Sequence, residues 1–137
     1  MDKFDKITLA KYRLETARED LQTAKIDYDN NMYKGAANRA YYAIFHSLRA
    51  VLSLDEKDFK KHSAIIAYFN QNYIRTKIFP EIHNIISKAS LIRNSSDYDD
   101  FYIVSKDEAK EQINNAIYIL ELVEKYVNQQ LWTKKIF

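Results

Sequence analysis

The stretch Ala36-Ala37-Asn38-Arg39-Ala40-Tyr41-Tyr42-Ala43-Ile44-Phe45-His46-Ser47-Leu48-Arg49-Ala50-Val51-Leu52-Ser53-Leu54 decides the fold. Ala37, Tyr41, Ile44, Leu48 and Leu52 recur at the period of one helix face, and Phe45 and Val51 flank them. A helix that is apolar over most of its circumference needs neighbours on several sides, so this one is expected at the centre of a bundle.

Working outward, Ile7, Ala10, Leu14, Ala17, Leu21, Ala24 and Tyr28 form one unbroken apolar stripe on a preceding helix. Asp29-Asn30-Asn31 weakens that helix, and Lys34-Gly35 predicts the turn into the next. On the other side, Leu54 to Asp58 is a polar connector. A shorter helix then runs from about Lys61 to Tyr73, with Ile65, Ile66, Tyr68 and Phe69 toward the core. Pro80 suits the first turn of a fourth helix, where its missing N–H costs nothing. That helix carries Ile82, Ile85, Ile86, Ala89 and Ile92, and Asp97 to Val104 reads as a loop. Ser105 and Glu108 have the spacing of a capping box, and Ala109, Ile113, Ala116, Leu120, Val123 and Val127 mark a long final helix. One Gly and one Pro in 137 residues are too few for the tight turns of a sheet protein. The expectation is an all-α protein: an antiparallel four- to five-helix up-and-down bundle, with residues 1–137 as one domain.

Composition narrows the function classes. Net charge is +2, from 21 basic and 19 acidic residues. There is no bulk basic excess to drive nucleic-acid binding, although a local basic cleft remains open. The absence of cysteine excludes disulfide and thiolate chemistry and fits a reducing compartment. No apolar run reaches the ~18 residues of a membrane span, and Met1 to Ala10 lacks the apolar core of a secretory signal. The expected location is cytoplasmic. Without a Gly-rich loop there is no phosphate or dinucleotide fingerprint. His46, His62 and His83 lack zinc-site spacing, so no metal or cofactor is expected. His62-Ser63 reads as a helix start. Leu131, Trp132, Ile136 and Phe137 read as an apolar tail suited to self-association.

Two clusters break the apolar pattern. Arg39 and His46 fall within about 20° of each other on the central helix, beside Tyr42 and the small residues Ala43 and Ala50. They fit either a buried polar network that fixes register or the rim of an anion-binding cleft. On the fourth helix Arg93 lies about 20° from Ile82 and Ile86, continuing their apolar stripe, with Asp97 one turn on. An arginine there is either half of an intrahelical ion pair or an anchor for phosphate oxygens.

At these clusters the chain resembles the HEPN family, specifically its small stand-alone members. The likeness is carried by Asn38-Arg39-Ala40-Tyr41-Tyr42-Ala43-Ile44-Phe45-His46, Lys61-His62-Ser63, Arg93-Asn94-Ser95-Ser96-Asp97-Tyr98 and the Ser105 to Glu108 helix start. The resemblance implies a homodimer with a cleft at its interface, acting as a metal-independent endoribonuclease toxin in a toxin–antitoxin or phage-defence system. It also implies a minimal nucleotidyltransferase as the antitoxin. In that reading Arg93 holds the scissile phosphate, and Arg39, Tyr42, Asn94 and Asp97 line the RNA-binding cleft. The family's histidine position is occupied here by Tyr98, a phenol with an ordinary pKa of about 10 and hence a poor base. On a straight helix Tyr98 also lies about 140° from Arg93. His46 is the expected substitute imidazole, so the catalytic candidates are Arg93, Tyr98 and His46. The resemblance further implies Tyr98 and Tyr102 as acceptors of nucleotidyl transfer. The alternative is a catalytically inactive HEPN subunit that binds nucleotides or partners.

Overall fold

The computed structural model describes residues 2–136, with side chains at Asp2 and over residues 4–131. Its elements are α1 (Lys3–Asp29), α2 (Tyr33–Leu54), α3 (His62–Phe69), one π-helical turn (Asn70–Ile74), α4 (His83–Tyr98) and α5 (Lys106–Ile136). Among the described residues there is no strand, in agreement with the helical bundle read from the sequence. No helix among them is long and apolar enough to cross a membrane. The tail side chains Trp132, Ile136 and Phe137 lie outside the described residues.

α2 is the hub, packed against α1, α3, α4 and α5. Its Tyr41, Ile44, Phe45, Leu48, Val51 and Leu52 are all buried. α1 runs antiparallel beside it: Asp27 approaches Gly35, Asp20 contacts Arg39, and the Arg13 guanidinium donates to the Arg49 carbonyl. That register sets Ala24, Ala17 and Ala10 opposite Ala36, Ala43 and Ala50, and all six are fully buried. A seam of methyl groups lets two helix backbones come to the near end of their usual separation, about 8 Å. Gly35 belongs to the same close approach. It lies inside α2, not in the expected turn, and a Cβ there would stand 3.0 Å from the Asp27 carboxylate. The chain reverses instead at Asn30-Asn31, where Asn31 takes a left-handed φ of 62°, a conformation asparagine adopts more readily than most residues.

Three further boundaries differ from the sequence reading. The helix expected from Lys61 to Tyr73 is α only as far as Phe69. The Arg75 N–H then bonds the Asn70 carbonyl at 3.0 Å, the π pattern, while the Tyr68 and Tyr73 hydroxyls both donate to Asp55 Oδ2 at 3.1 and 2.6 Å. Tertiary hydrogen bonds to the end of α2 therefore hold the wider turn. Pro80 lies before α4, whose first N–H, that of His83, is taken by the Glu81 carboxylate at 3.0 Å. At its other end α4 continues through Asp97 and Tyr98, so the loop spans only 99–105. The capping box forms as read: Ser105 N–H donates to Glu108 Oε1 at 3.2 Å, and Glu108 N–H donates to Ser105 Oγ at 3.0 Å.

The α1–α2 seam is testable by overpacking. Ala43→Leu should lower the unfolding free energy by about 1–3 kcal/mol, because the added carbons have no space without moving a helix. A urea midpoint equal to wild type would contradict the close packing.

Candidate functional site

The site is built where α2, α3 and α4 meet. Arg93, on the last turns of α4, keeps 24% of its side chain exposed. Its Nη2 donates to the Tyr42 hydroxyl at 3.2 Å and its Nη1 to Asn94 Oδ1 at 3.4 Å, while its Nε lies 3.0 Å from Asp97 Oδ2. The guanidinium carbon also sits 5.7 and 5.8 Å from the ring centres of Tyr41 and Tyr42, within cation–π range. Consecutive tyrosines on α2 thus supply a platform that fixes the cation while leaving part of it open.

His62 enters the same platform from the first residue of α3. Its Nδ1 is hydrogen-bonded to the Tyr41 hydroxyl at 2.9 Å, and its ring stacks on Phe45 with centroids 4.0 Å apart. Tyr42 meets it edge-on. Burial, with the charges of Arg93 and Arg49, lowers the His62 pKa below the ordinary imidazole value. The ring is therefore neutral at pH 7 and able to accept a proton. Burial raises the Tyr41 phenol to about 12, although Arg93 pulls the other way, so it keeps its proton. The sequence reading took His62 as a helix start and as part of the family likeness, without a place in the site. That assignment is correct for the backbone, but the imidazole faces the α2 aromatics. The available signal was the spacing of Tyr41 and Phe45, one turn apart, which presents two rings to whatever packs on that side.

His46 stands one turn from Tyr42, and their rings stack at 6.2 Å. Its Nε2 points to Asp20 Oδ2 at 3.7 Å, and Arg39 Nη1 donates to Asp20 Oδ1 at 3.3 Å. The structure thus draws Arg39 and His46 together on a carboxylate of α1. Asp20 was legible as a polar residue at the period of Ala17 and Ala24, but its partner helix was not. Burial lowers the His46 pKa, opposed by Asp20 and reinforced by Arg49, Arg13 and His62. Burial raises that of Asp20, opposed by His46 and Arg39.

Arg93, Asn94, Asp97 and Tyr42 therefore converge; His46 touches the cluster through Tyr42; Arg39 lies on the α1 side. Tyr98, carried around the intact α4 helix, is 85% exposed and turned away from Arg93. Tyr102 is partly buried against the core. No cluster of His, Cys, Asp and Glu suited to a metal occurs among the described residues.

Residues 10–126 match the HEPN domain. A UPF0332 protein of Thermotoga maritima is 30% identical over 124 residues, covering 90% of this chain and 94% of the relative. A protein of Methanocaldococcus jannaschii named as a candidate toxin is 34% identical over 110 residues, 80% of this chain and 78% of the relative. A second candidate toxin of that organism is 29% identical over 115 residues, 83% and 78% of the two chains.

The two imidazoles set a pH dependence. Their folded pKa values lie below the ordinary 6.5, so on acidification the unfolded chain takes the protons first. Stability contributed by the neutral rings is present above pH 6.5 and is lost as pH falls from there toward the folded values. Asp20, with its raised pKa, acts in the opposite sense at more acid pH, where the folded state protonates first. His46→Gln and His62→Gln should each shrink the drop in urea midpoint between pH 7.5 and 5.5. An unchanged drop in both variants would refute the assignment.

Proposed function

The chain belongs to the HEPN-domain family, and we propose that it is a toxin-like member that cleaves RNA without a metal, as a homodimer restrained by a nucleotidyltransferase antitoxin. Two of its relatives are named as candidate toxins, which supports the toxin reading. The observation that carries the RNA reading is the pairing of a fixed, partly open Arg93 guanidinium with the neutral His62 imidazole on one aromatic platform.

The chemistry follows from that pairing. Arg93 offers planar donors to the non-bridging oxygens of a phosphodiester and stabilises the negative charge that grows on them. In the tautomer whose Nδ1–H donates to the Tyr41 oxygen, His62 presents a free Nε2 lone pair that takes the proton of a ribose 2′-hydroxyl. The 2′-oxygen attacks phosphorus, the 5′-oxygen leaves and takes a proton from solvent, and a cyclic phosphate remains. Tyr42 and Asp97 orient the guanidinium, and the Asp20–His46–Arg39 contacts brace the α2 face behind it. His62 thereby takes the base role that the motif position, Tyr98, cannot fill.

Tyr98, Phe101 and Ile103 are 85, 91 and 82% exposed at the end of α4 and in the following loop. So much apolar surface beside the site suits a second copy of the chain. The exposed Tyr98 hydroxyl is also the more accessible of the two acceptors for nucleotidyl transfer. The alternative, a binding subunit without catalysis, draws support from Asp97, which already pairs with Arg93.

Growth arrest on controlled expression, with total RNA inspected in the same cells, separates these readings. Arg93→Ala should relieve arrest and slow cleavage by about 10²–10³-fold, and His62→Gln by about 10²–10⁴-fold, with helical circular dichroism unchanged. Equal arrest by Arg93→Ala would sink the catalytic reading. Intact RNA in cells making folded wild type would favour the binding subunit. Tyr98→Phe should leave cleavage unchanged while abolishing nucleotidylation by the antitoxin; modification that persists on the variant would exclude Tyr98.

A further inference from the structure

Next to the Arg93 centre is a second cleft that the chemistry above does not use. It has a volume of about 400 Å³ and is walled by Phe45, Arg49, Asp58, Phe59, Lys60 and His62. His62 is thus a wall shared by both: one part of the ring meets Tyr41 and Tyr42 beneath Arg93, and its stacked neighbour Phe45 lines the cleft.

The cleft is cationic despite the near-neutral chain. Arg49 Nη2 pairs with Asp58 Oδ2 at 2.9 Å, and Arg13 Nη2 approaches the same oxygen at 3.4 Å. Two guanidiniums therefore share one carboxylate, and no described ion pair involves Lys60. Asp58 also accepts the Phe59 N–H at 3.0 Å, fixing the backbone of a phenylalanine that stays 40% exposed, with Tyr68 behind it at 5.9 Å. A solvent-facing ring beside surplus cations is what a single nucleotide requires. The ring stacks on the base whatever its identity, and the cations take the phosphate.

We propose that this cleft is a second nucleotide subsite, in which Phe59 stacks on the base and Lys60 and Arg49 hold the phosphate adjoining the one bound by Arg93. It rests on the RNA reading of the Arg93 site and adds to it a direction. The strand passes over His62 between the two clefts, and it must be single-stranded, because a paired base cannot present its face to Phe59.

The test is fluorescence anisotropy of the full chain with a labelled, uncleavable 2′-O-methyl RNA hexamer, each variant checked for helical content. Phe59→Ala and Lys60→Ala should each weaken binding about tenfold, and Lys60→Ala should lower the log–log salt slope by about one. Lys25→Ala removes an equal charge from the α1–α5 groove and should change nothing. If Arg93→Ala weakens the hexamer but Phe59→Ala and Lys60→Ala do not, the subsite is wrong and the Arg93 site stands. If Lys25→Ala matches Lys60→Ala, the effect is bulk charge and the subsite is wrong. An oligoglutamate that displaces the hexamer at equal charge concentration would overturn it in favour of an acidic polypeptide. Absence of any binding by wild type would remove both readings together.

Discussion

Ala10, Ala17 and Ala24 of α1 face Ala36, Ala43 and Ala50 of α2 without an exposed atom among them, and the rest of the molecule is arranged around that contact. Methyl-sized side chains at heptad spacing allow the two backbones to close, which buries one side of α2 using little side-chain volume. The remaining circumference of α2 is left for larger residues, and Ile44, Leu48 and Leu52 fill it toward the other helices. α5 then packs against both α1 and α2, and Arg18 of α1 meets its Glu124 at 2.8 Å. A helix held this firmly on one side is a rigid base for chemistry on another.

That rigidity is expressed at Tyr41 and Tyr42. They are adjacent in sequence, so their rings point about 100° apart, and together they cup the Arg93 guanidinium where a single ring would offer one face. Exposed ion pairs contribute little to stability. The Arg93–Asp97 pair matters for orientation: with Tyr42 and Asn94 it restricts the guanidinium to one plane, a prerequisite for bidentate phosphate contact. Asp20 plays the corresponding part behind α2. A carboxylate that is nearly buried needs polar partners close by, and across the helix interface the Arg39 guanidinium donates to it with the neutral His46 ring beside it.

The HEPN motif position occupied by Tyr98 shows how helix geometry overrides spacing. Because α4 does not end before Tyr98, the residue is carried away from Arg93, and its hydroxyl faces solvent. The imidazole that reaches the Arg93 platform comes from α3 and is distant in sequence. It is held by a hydrogen bond to Tyr41 and by stacking on Phe45. The cleft on its other side makes one histidine a wall shared by two neighbouring hollows.

By itself the sequence determined the helices, their apolar faces, the capping box at Ser105 and Glu108, and the importance of Arg39, His46 and Arg93 as polar residues on packing faces. These are local or periodic properties, set by residues three or four apart, and they survive without knowledge of partners. Helix ends at Gly35, Pro80 and Phe69 were decided elsewhere. Gly35 lies inside α2, where a Cβ would stand 3.0 Å from the Asp27 carboxylate of α1, and the π turn after Phe69 is held by Asp55 at the end of α2. Only the tertiary structure decided that Asp20 is what Arg39 and His46 share, that His62 joins Arg93, and that Phe59 and Lys60 open beside them. The Asp20–Arg39, Asp20–His46 and His62–Arg93 pairings join residues 19 to 31 positions apart. Nothing in local periodicity encodes them, because they arise from which helix faces the packing of α2 brings together.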